Sequence, residues 1–92
     1  MAKVLIKVNV AYPNAFESAF ENQKSVRAGN GEKRFLFCAE ESSLNNVYVI
    51  SSWDTVSNAQ AFWSSQEAQN QIRQWSSVNS PEIKILREHG DS

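Results

Sequence analysis

The sequence predicts one α+β domain with the element order β-α-β-β-α-β. Two observations indicate it: short segments in which apolar residues alternate, as in strands, and two longer segments in which they recur every three or four positions, as in helices. Length is a third, because 92 residues make one domain, assigned to 1–92. The composition, 41% hydrophobic and 21% charged, excludes a disordered tail or a fibrous repeat.

The first strand is predicted at 3–10, where every second residue is β-branched and apolar: Val4, Ile6, Val8 and Val10. Pro13 cannot continue a strand but suits the first turn of a helix, and Asn14 with Glu17 resembles a capping box. The core-facing residues of this helix would be Phe16, Ala19, Phe20 and Gln23, then Val26 or Arg27. The helix should stop at Gly29-Asn30-Gly31, since glycine tolerates the conformation of a helix end.

A hairpin is predicted next, with strands at 33–40 and 47–53 joined by a polar turn at 41–46. Ser57 and Gln60 then resemble a capping box and open a helix over about 58–76, with an irregularity expected at Ser64-Ser65. The stripe of this helix would be Ala61, Ser65, Ala68, Ile72 and Trp75. After Pro81 the last strand is marked by Ile83 and Ile85, with Leu86 left open. This order gives a four-stranded antiparallel sheet with two helices on one face, the ferredoxin-like arrangement.

The face of the sheet opposite the helices should be polar if it met water, but both faces are apolar at the centre. In the second strand Phe35, Phe37 and Ala39 point one way and Leu36 and Cys38 the other, and in the third Val47 and Val49 oppose Tyr48 and Ile50. Apolar patches of this extent usually mark an interface. We therefore expect a homodimer in which two helix-free faces pack about a two-fold axis, with Cys38 buried as a small hydrophobe.

Three features stand in order around the second predicted helix. A strand ends in Trp53, a polar step Asp54-Thr55-Val56-Ser57-Asn58 follows, and the helix carries Ala61-Phe62-Trp63-Ser64-Ser65-Gln66-Glu67-Ala68. In this the chain resembles the dimeric α/β-barrel superfamily, and within it the antibiotic-biosynthesis monooxygenase-like domains. The resemblance covers nearly the whole chain and implies a dimeric α/β barrel. Its members include cofactor-independent oxygenases, haem-degrading enzymes and isomerases.

The same resemblance disfavours haem degradation. Haem-degrading members use an Asn on the first strand and a Trp on the second helix, which Asn9 and Trp63 match, and a His about three turns further on. That position falls near Arg73, and the only histidine, His89, lies at the far end of the chain. Without the axial imidazole a haem would lose its proximal ligand, so no cofactor is expected. No Cys/His set has metal-ligand spacing, so no metal is expected either.

Four residues are candidates for lining a ligand pocket: Asn9, Lys7, Tyr48 and Trp63. Asn9 has the strongest claim, because an amide pointing into an apolar inter-sheet space needs a hydrogen-bond partner. For Trp63, packing in the core or at an interface is favoured over stacking on a ligand. Glu40-Glu41 and His89 are expected to be solvated, and no catalytic residue is assigned.

Charge and hydropathy limit the partners. The net charge is −1, with 9 basic and 10 acidic residues spread along the chain, so nucleic acid is not expected. The apolar runs are far too short to cross a membrane, and the N-terminal segment returns to a charge at Lys7 too soon for a signal peptide. A single cysteine cannot form an internal disulfide, which favours a cytoplasmic location.

Two functions remain open at this point. The first is a dimeric domain that binds a small apolar or aromatic molecule without defined catalytic machinery, which the thin set of acid–base groups favours. The alternative is a cofactor-independent monooxygenase or isomerase-like enzyme acting on an aromatic or polyketide-like substrate. Its cavity would lie between the sheet and the helices or between protomers, and side chains filling that cavity would argue against it.

Overall fold

The computed structural model describes residues 1–75 and 80–89. Its elements are β1 Ala2–Asn9, α1 Pro13–Asn22, α2 Lys24–Asn30, β2 Glu32–Glu40, β3 Ser43–Trp53, α3 Val56–Trp63, α4 Gln66–Gln74 and β4 Glu82–Arg87. The strands form one antiparallel sheet in the order β2-β3-β1-β4, with the helices on one side. The predicted ferredoxin-like α+β fold is confirmed, although each predicted helix is divided into two.

Strand β1 lies inside the sheet, and its buried and more exposed residues alternate strictly. Val4, Ile6 and Val8 are fully or almost fully buried toward the helices. Between them, Lys3, Lys7 and the other intervening residues point to the opposite side, since successive side chains of a strand alternate. β1 pairs with both β3 and β4, so this one pattern sets which face of all three strands is buried.

The hairpin is tighter than predicted, and the expected turn at 41–46 is wrong. β3 begins at Ser43, so Glu41-Ser42 alone make the turn. Asn46 lies opposite Asn9 in the ladder, and the Asn45 side chain donates to the Val10 carbonyl at 2.7 Å. These polar residues were assigned to a loop on composition, but pairing with β1 satisfies their backbone and keeps them extended.

The helix starts differ from the predicted capping boxes. Pro13 occupies the first turn of α1 as predicted, but no side chain caps that helix, so the assignment of Asn14 is wrong. Thr55, not Ser57, caps α3 by accepting from the Asn58 amide. The Thr55 hydroxyl, two residues before Ser57, lies at the N-cap position, from which a side chain accepts from the free backbone amides of the first helical turn.

The predicted irregularity at Ser64-Ser65 is confirmed, and it ends α3 and starts α4. The Ser65 hydroxyl accepts from the Ala68 amide as an N-cap. The single helix predicted over 58–76 is therefore wrong, and its last position, 76, lies outside the described residues. The break also turns the buried stripe, so Ala61 is exposed. The buried members of the two helices are Ala59, Phe62, Trp63, Ala68 and Gln71.

A buried ion pair joins α2 to the sheet. Arg27, fully buried, donates from Nε to both carboxylate oxygens of Glu32 at 2.9 and 3.0 Å and from Nη1 to the Phe20 carbonyl at 2.7 Å. Ser51 donates to the same carboxylate at 2.6 Å, and the Trp53 indole donates to Ser51 at 2.6 Å. Burial lowers the pKa of Arg27, and the Glu32 carboxylate opposes that shift. The chain of bonds fixes the first residue of β2 against the core.

Candidate functional site

The helix-covered side of the sheet is filled by aromatic rings. Trp63 packs against Phe62 and Trp75 with centroid separations of 5.0 and 6.4 Å, and Phe16 meets Trp75 at 5.2 Å. A cavity of about 40 Å³ beside Phe16 has room for water but not for a ring-sized ligand. The aromatic core itself therefore has no room for a ring-sized ligand, whereas an open hollow of about 460 Å³ lies at its edge, where the start of α1 meets Ala39 and Leu44.

Three buried donors on this side have no partner within the described part of the chain. They are Nη2 of Arg27, the Trp63 indole nitrogen and the Gln71 amide nitrogen. A buried donor without an acceptor costs free energy. The packing side of the sheet thus keeps some capacity to bind an acceptor atom, although its aromatic core has no room for a ring.

The opposite side, here called the helix-free face, carries four cross-strand rows read from the pairing registers. The first row is Arg34, Ser52 and Lys3; the second Leu36, Ile50 and Leu5; the third Cys38, Tyr48 and Lys7; the fourth Asn46 and Asn9. Leu36 and Ile50 are 57% and 38% exposed. Leu86 on β4, 45% exposed, lies opposite Lys3 in the first row, and Lys84 lies opposite Leu5. An apolar row on β2, β3 and β1 therefore separates two polar ends of the face.

Cys38 is exposed on this face, so the prediction that it is buried is wrong for the single chain. Its sequence neighbours are apolar, but alternation turns it away from the helices. No element of the described chain covers that side.

A hydrogen-bonded polar cluster forms one end of the helix-free face and consists of Lys7, Asn9, Glu40, Asn46 and Tyr48. The Asn9 amide donates to the Asn46 carbonyl oxygen, and Asn46 donates to Glu40 at 3.3 Å. Tyr48 donates its hydroxyl to the other Glu40 oxygen at 2.6 Å. The Lys7 ammonium lies 5.8 Å from the Tyr48 ring centroid, near enough for a cation–π contact.

The cluster sets the charge state of both acidic groups. The hydrogen bond from Tyr48, and after it the one from Asn46, lowers the pKa of Glu40. The same bond to Glu40 raises the pKa of Tyr48. Glu40 is therefore a stable carboxylate and Tyr48 a stable phenol at neutral pH. This arrangement presents fixed donors and acceptors to a ligand, but its carboxylate is a weak base.

The other end of the face is basic. Lys3 donates to the Ser52 hydroxyl at 2.8 Å and lies 3.4 Å from the Glu88 carboxylate. Beside them is a depression of about 440 Å³ that Lys3, Arg34, Phe35, Leu36, Ile50 and Ser52 line. This volume lies within the range of small-molecule sites.

The structure brings three of the four predicted pocket residues together. Lys7, Asn9 and Tyr48 lie on the helix-free face in adjacent rows. Trp63 is buried beneath the other side of the sheet.

Sequence reasoning missed Glu40 and Asn46, because one was assigned to a solvated charge pair and the other to the turn. A usable signal was present. Asn46 and Tyr48 are two positions apart on one strand, and Lys7 and Asn9 are two positions apart on the other. Polar residues spaced in this way on paired strands lie on the same face and form one polar patch.

Among the described residues, no group of three or more His, Cys, Asp or Glu side chains is placed to hold a metal ion. The two residues that matched the haem-degrading pattern, Asn9 and Trp63, are separated by the sheet. Arg73 and His89 are both exposed. In the described residues no helix is long and apolar enough to cross a membrane.

Neither a protein-family model nor a curated protein sequence matches this chain. Solved structures do. A candidate antibiotic biosynthesis monooxygenase from Bordetella bronchiseptica matches with a TM-score of 0.78 at 13% identity, over 96% of this chain and 96% of that one. SnoaB, a cofactor-independent oxygenase from Streptomyces nogalater, matches with a TM-score of 0.75 at 17% identity, over 98% and 94%.

A third structure, a candidate antibiotic biosynthesis monooxygenase from Deinococcus radiodurans, has a TM-score of 0.70 at 11% identity, over 100% of this chain and 95% of that one. At identities this low the matches establish a shared fold. The resemblance inferred from the sequence is confirmed at that level: this chain has the ferredoxin-like fold of antibiotic biosynthesis monooxygenase domains.

Proposed function

We propose that this single-domain chain is a small-molecule-binding homodimer. Two helix-free faces pack together and enclose an apolar or aromatic ligand beside the polar cluster. The observation that carries the proposal is that Leu36, Ile50 and, in the next row, Leu86 are exposed on a face whose polar end is already ordered by hydrogen bonds. Water contact with these side chains is unfavourable, and a second copy of the same face removes it.

The size of the face supports this occupant. Four strands of 6–11 residues, spaced about 4.8 Å apart with a rise of about 3.3 Å per residue, cover roughly 500 Å² of sheet. Two such faces together bury about 1,000 Å² of projected area, without the additional surface of the protruding side chains. This reaches the lower size limit of a specific interface, about 1,000 Å². The face also carries charges of both signs, Lys7 and Lys84 against Glu40 and Glu82, so a two-fold pairing need not place like charges together.

The electrostatics of the cluster favour binding over catalysis. A general base for a carbon acid works best with its pKa raised toward neutrality, whereas the pKa of Glu40 is lowered by Tyr48 and Asn46. Tyr48 with a raised pKa is a poorer proton donor at pH 7 than a free phenol. Both groups are suited to orienting a hydroxyl, amine or carbonyl of a bound molecule.

A fluorescence titration with N-phenyl-1-naphthylamine, a flat apolar probe whose emission rises on leaving water, tests the proposal. We expect saturable binding to the dimer and, in Asn9→Ala, an affinity several-fold weaker, as the loss of one hydrogen-bonding group implies. Asn22→Ala, which removes an exposed amide on α1, is the control. Absence of saturable binding, or equal affinity in both variants, would contradict the proposed site.

The second candidate is a cofactor-independent monooxygenase or isomerase-like enzyme. The fold shared with SnoaB favours it. In such an oxygenation the substrate loses a C–H proton to a base, its carbanion reduces O₂, one oxygen atom becomes a carbonyl, and the other leaves as water. The aromatic core offers no room for that substrate, so the reaction would occur at the helix-free face or in the open hollow between the start of α1 and Ala39 and Leu44.

Oxygen uptake with dithranol, whose CH₂ group is oxidised to a carbonyl by this stoichiometry, separates the two candidates. Binding alone predicts uptake at the rate of the uncatalysed control. Enzyme-dependent uptake that falls in Tyr48→Phe would favour the oxygenase.

We place either activity in the cytoplasm, because a single cysteine fits a reducing compartment, and we expect neither nucleic acid nor membrane as a partner.

A further inference from the structure

The basic end of the helix-free face contains a cation that no carboxylate of the described residues neutralises. Lys3 shares its ammonium with Ser52 and Glu88. Arg34, in the same cross-strand row, has no carboxylate within salt-bridge distance among residues 1–75 and 80–89. The guanidinium borders the depression of about 440 Å³ whose floor is Leu36 and Ile50.

A break in the strand register turns Arg34 to this face. Glu32 pairs with Trp53 and Arg34 with Ser52, so Lys33 is an extra residue in β2. Without that bulge, alternation would point Arg34 to the same side as Glu32, toward the core. Bulges commonly re-aim a side chain near a functional site. Here Glu32 is fixed by Arg27 and Ser51, so the direction of Arg34 is built into the fold.

We infer that the ligand of the helix-free face is an amphipathic organic anion, whose carboxylate or sulfonate binds between Arg34 and Lys3 above Ser52. This inference rests on the proposed ligand site. The three residues lie side by side on neighbouring strands, so the two cations flank Ser52 across about 10 Å. A planar guanidinium and a hydroxyl are suited to a group with two or three acceptor oxygens.

The rows of the face set the rest of the ligand. Leu36, Ile50 and Leu5 lie one row from the basic end and contact the apolar body. Tyr48 lies two rows away, about 13 Å along the strands, where the polar cluster meets a hydrogen-bonding group at the distal end. A fused-ring or chain acid of roughly this length spans the face, and a neutral molecule of the same shape leaves Arg34 unpaired.

Two probes that differ by one group test the charge. The anion 8-anilinonaphthalene-1-sulfonate is N-phenyl-1-naphthylamine with an added sulfonate. We expect Arg34→Gln to weaken sulfonate binding about tenfold, the scale of one charge-assisted contact, and to leave the affinity for the neutral probe within about twofold. Arg87→Gln removes an exposed arginine from β4, outside the depression, and should change neither.

The outcomes separate this inference from the proposed function. If the neutral probe binds but Arg34→Gln leaves sulfonate affinity unchanged, or weakens both probes equally, the anion assignment is wrong and the apolar site stands. If neither probe binds the wild-type protein, both the anion assignment and the proposed ligand site are wrong. Far-ultraviolet circular dichroism and the molar mass in solution show whether Arg34→Gln keeps the fold and the assembly. If it loses either, Lys3→Gln replaces it as the test variant. Lys3→Gln should weaken sulfonate binding less, because Glu88 already shares the Lys3 ammonium.

Discussion

Removing the charge of Glu32 is expected to destabilise the protein far more than removing a surface carboxylate. Glu32→Gln keeps the shape of the side chain but leaves Arg27, fully buried, without a counter-ion. Of the two Nε contacts at 2.9 and 3.0 Å, one loses its acceptor and the other its charge assistance, and the guanidinium keeps the Phe20 carbonyl and ring as partners. Breaking a buried pair in this way costs about 3–5 kcal/mol, out of roughly 5–14 kcal/mol for a domain of this size.

Urea unfolding at pH 7, followed by tryptophan fluorescence at one fixed protomer concentration, measures the change. Glu88→Gln is the matched control, because it removes the same charge from an exposed pair at 3.4 Å and should cost less than about 1 kcal/mol. The double variant Arg27→Met, Glu32→Gln removes both charges and should recover most of the loss. Equal small losses in Glu32→Gln and Glu88→Gln would refute the view that this pair anchors β2.

Gly31→Ala should cost about 1–3 kcal/mol, since Gly31 has φ +123° and a Cβ there would clash with the Asp54 carboxylate. Gly29→Ala, in α2 with open space around it, should instead stabilise by about 0.5–1 kcal/mol, and denaturation midpoints distinguish them. In a Tyr12→Phe background, which leaves one tyrosine, Glu40→Gln should lower the pKa of Tyr48 toward its ordinary value in a spectrophotometric titration, and an unchanged titration would contradict the bond. Because the pKa of Glu40 is lowered in the folded state, its contribution is complete above the ordinary carboxyl pKa and is lost as pH falls through the lowered value, so Glu40→Gln should flatten the acid limb of stability against pH.

The sequence predicted the elements whose pattern one buried face determines. Val4, Ile6 and Val8 fixed β1 and through it the sheet, because slipping by one residue would turn all of them to water. The helix breaks at Gln23 and Ser64-Ser65 were harder. Only the second has a local signal, a serine able to cap, while the first depends on where α2 must lie for Arg27 to reach Glu32.

The candidate site was half predictable for a related reason. Lys7, Asn9 and Tyr48 stand out as polar residues on apolar strands, so alternation alone selected them. Glu40 continues the alternation of Leu36 and Cys38 but reaches Tyr48 across a register shift that follows Ala39, and Arg34 turns to this face only through a bulge. Composition predicts neither irregularity. Trp63 is a candidate only through its match to the Trp of the haem-degrading domains, whereas a buried helical residue packs on the helix-covered side of the sheet, away from the other three.

The molar mass in solution tests the central claim, that a second copy covers the helix-free face, most directly. Light scattering across 10–200 µM protein should give about twice the 10.4 kDa of the chain, with Cys38 protected from alkylation. Ile50→Lys should shift the mass toward the single chain and expose Cys38, whereas Tyr12→Ser, which removes an exposed apolar ring outside this face, should not. A wild-type mass of 10.4 kDa throughout, with Cys38 reacting as fast as a free thiol, would contradict the account.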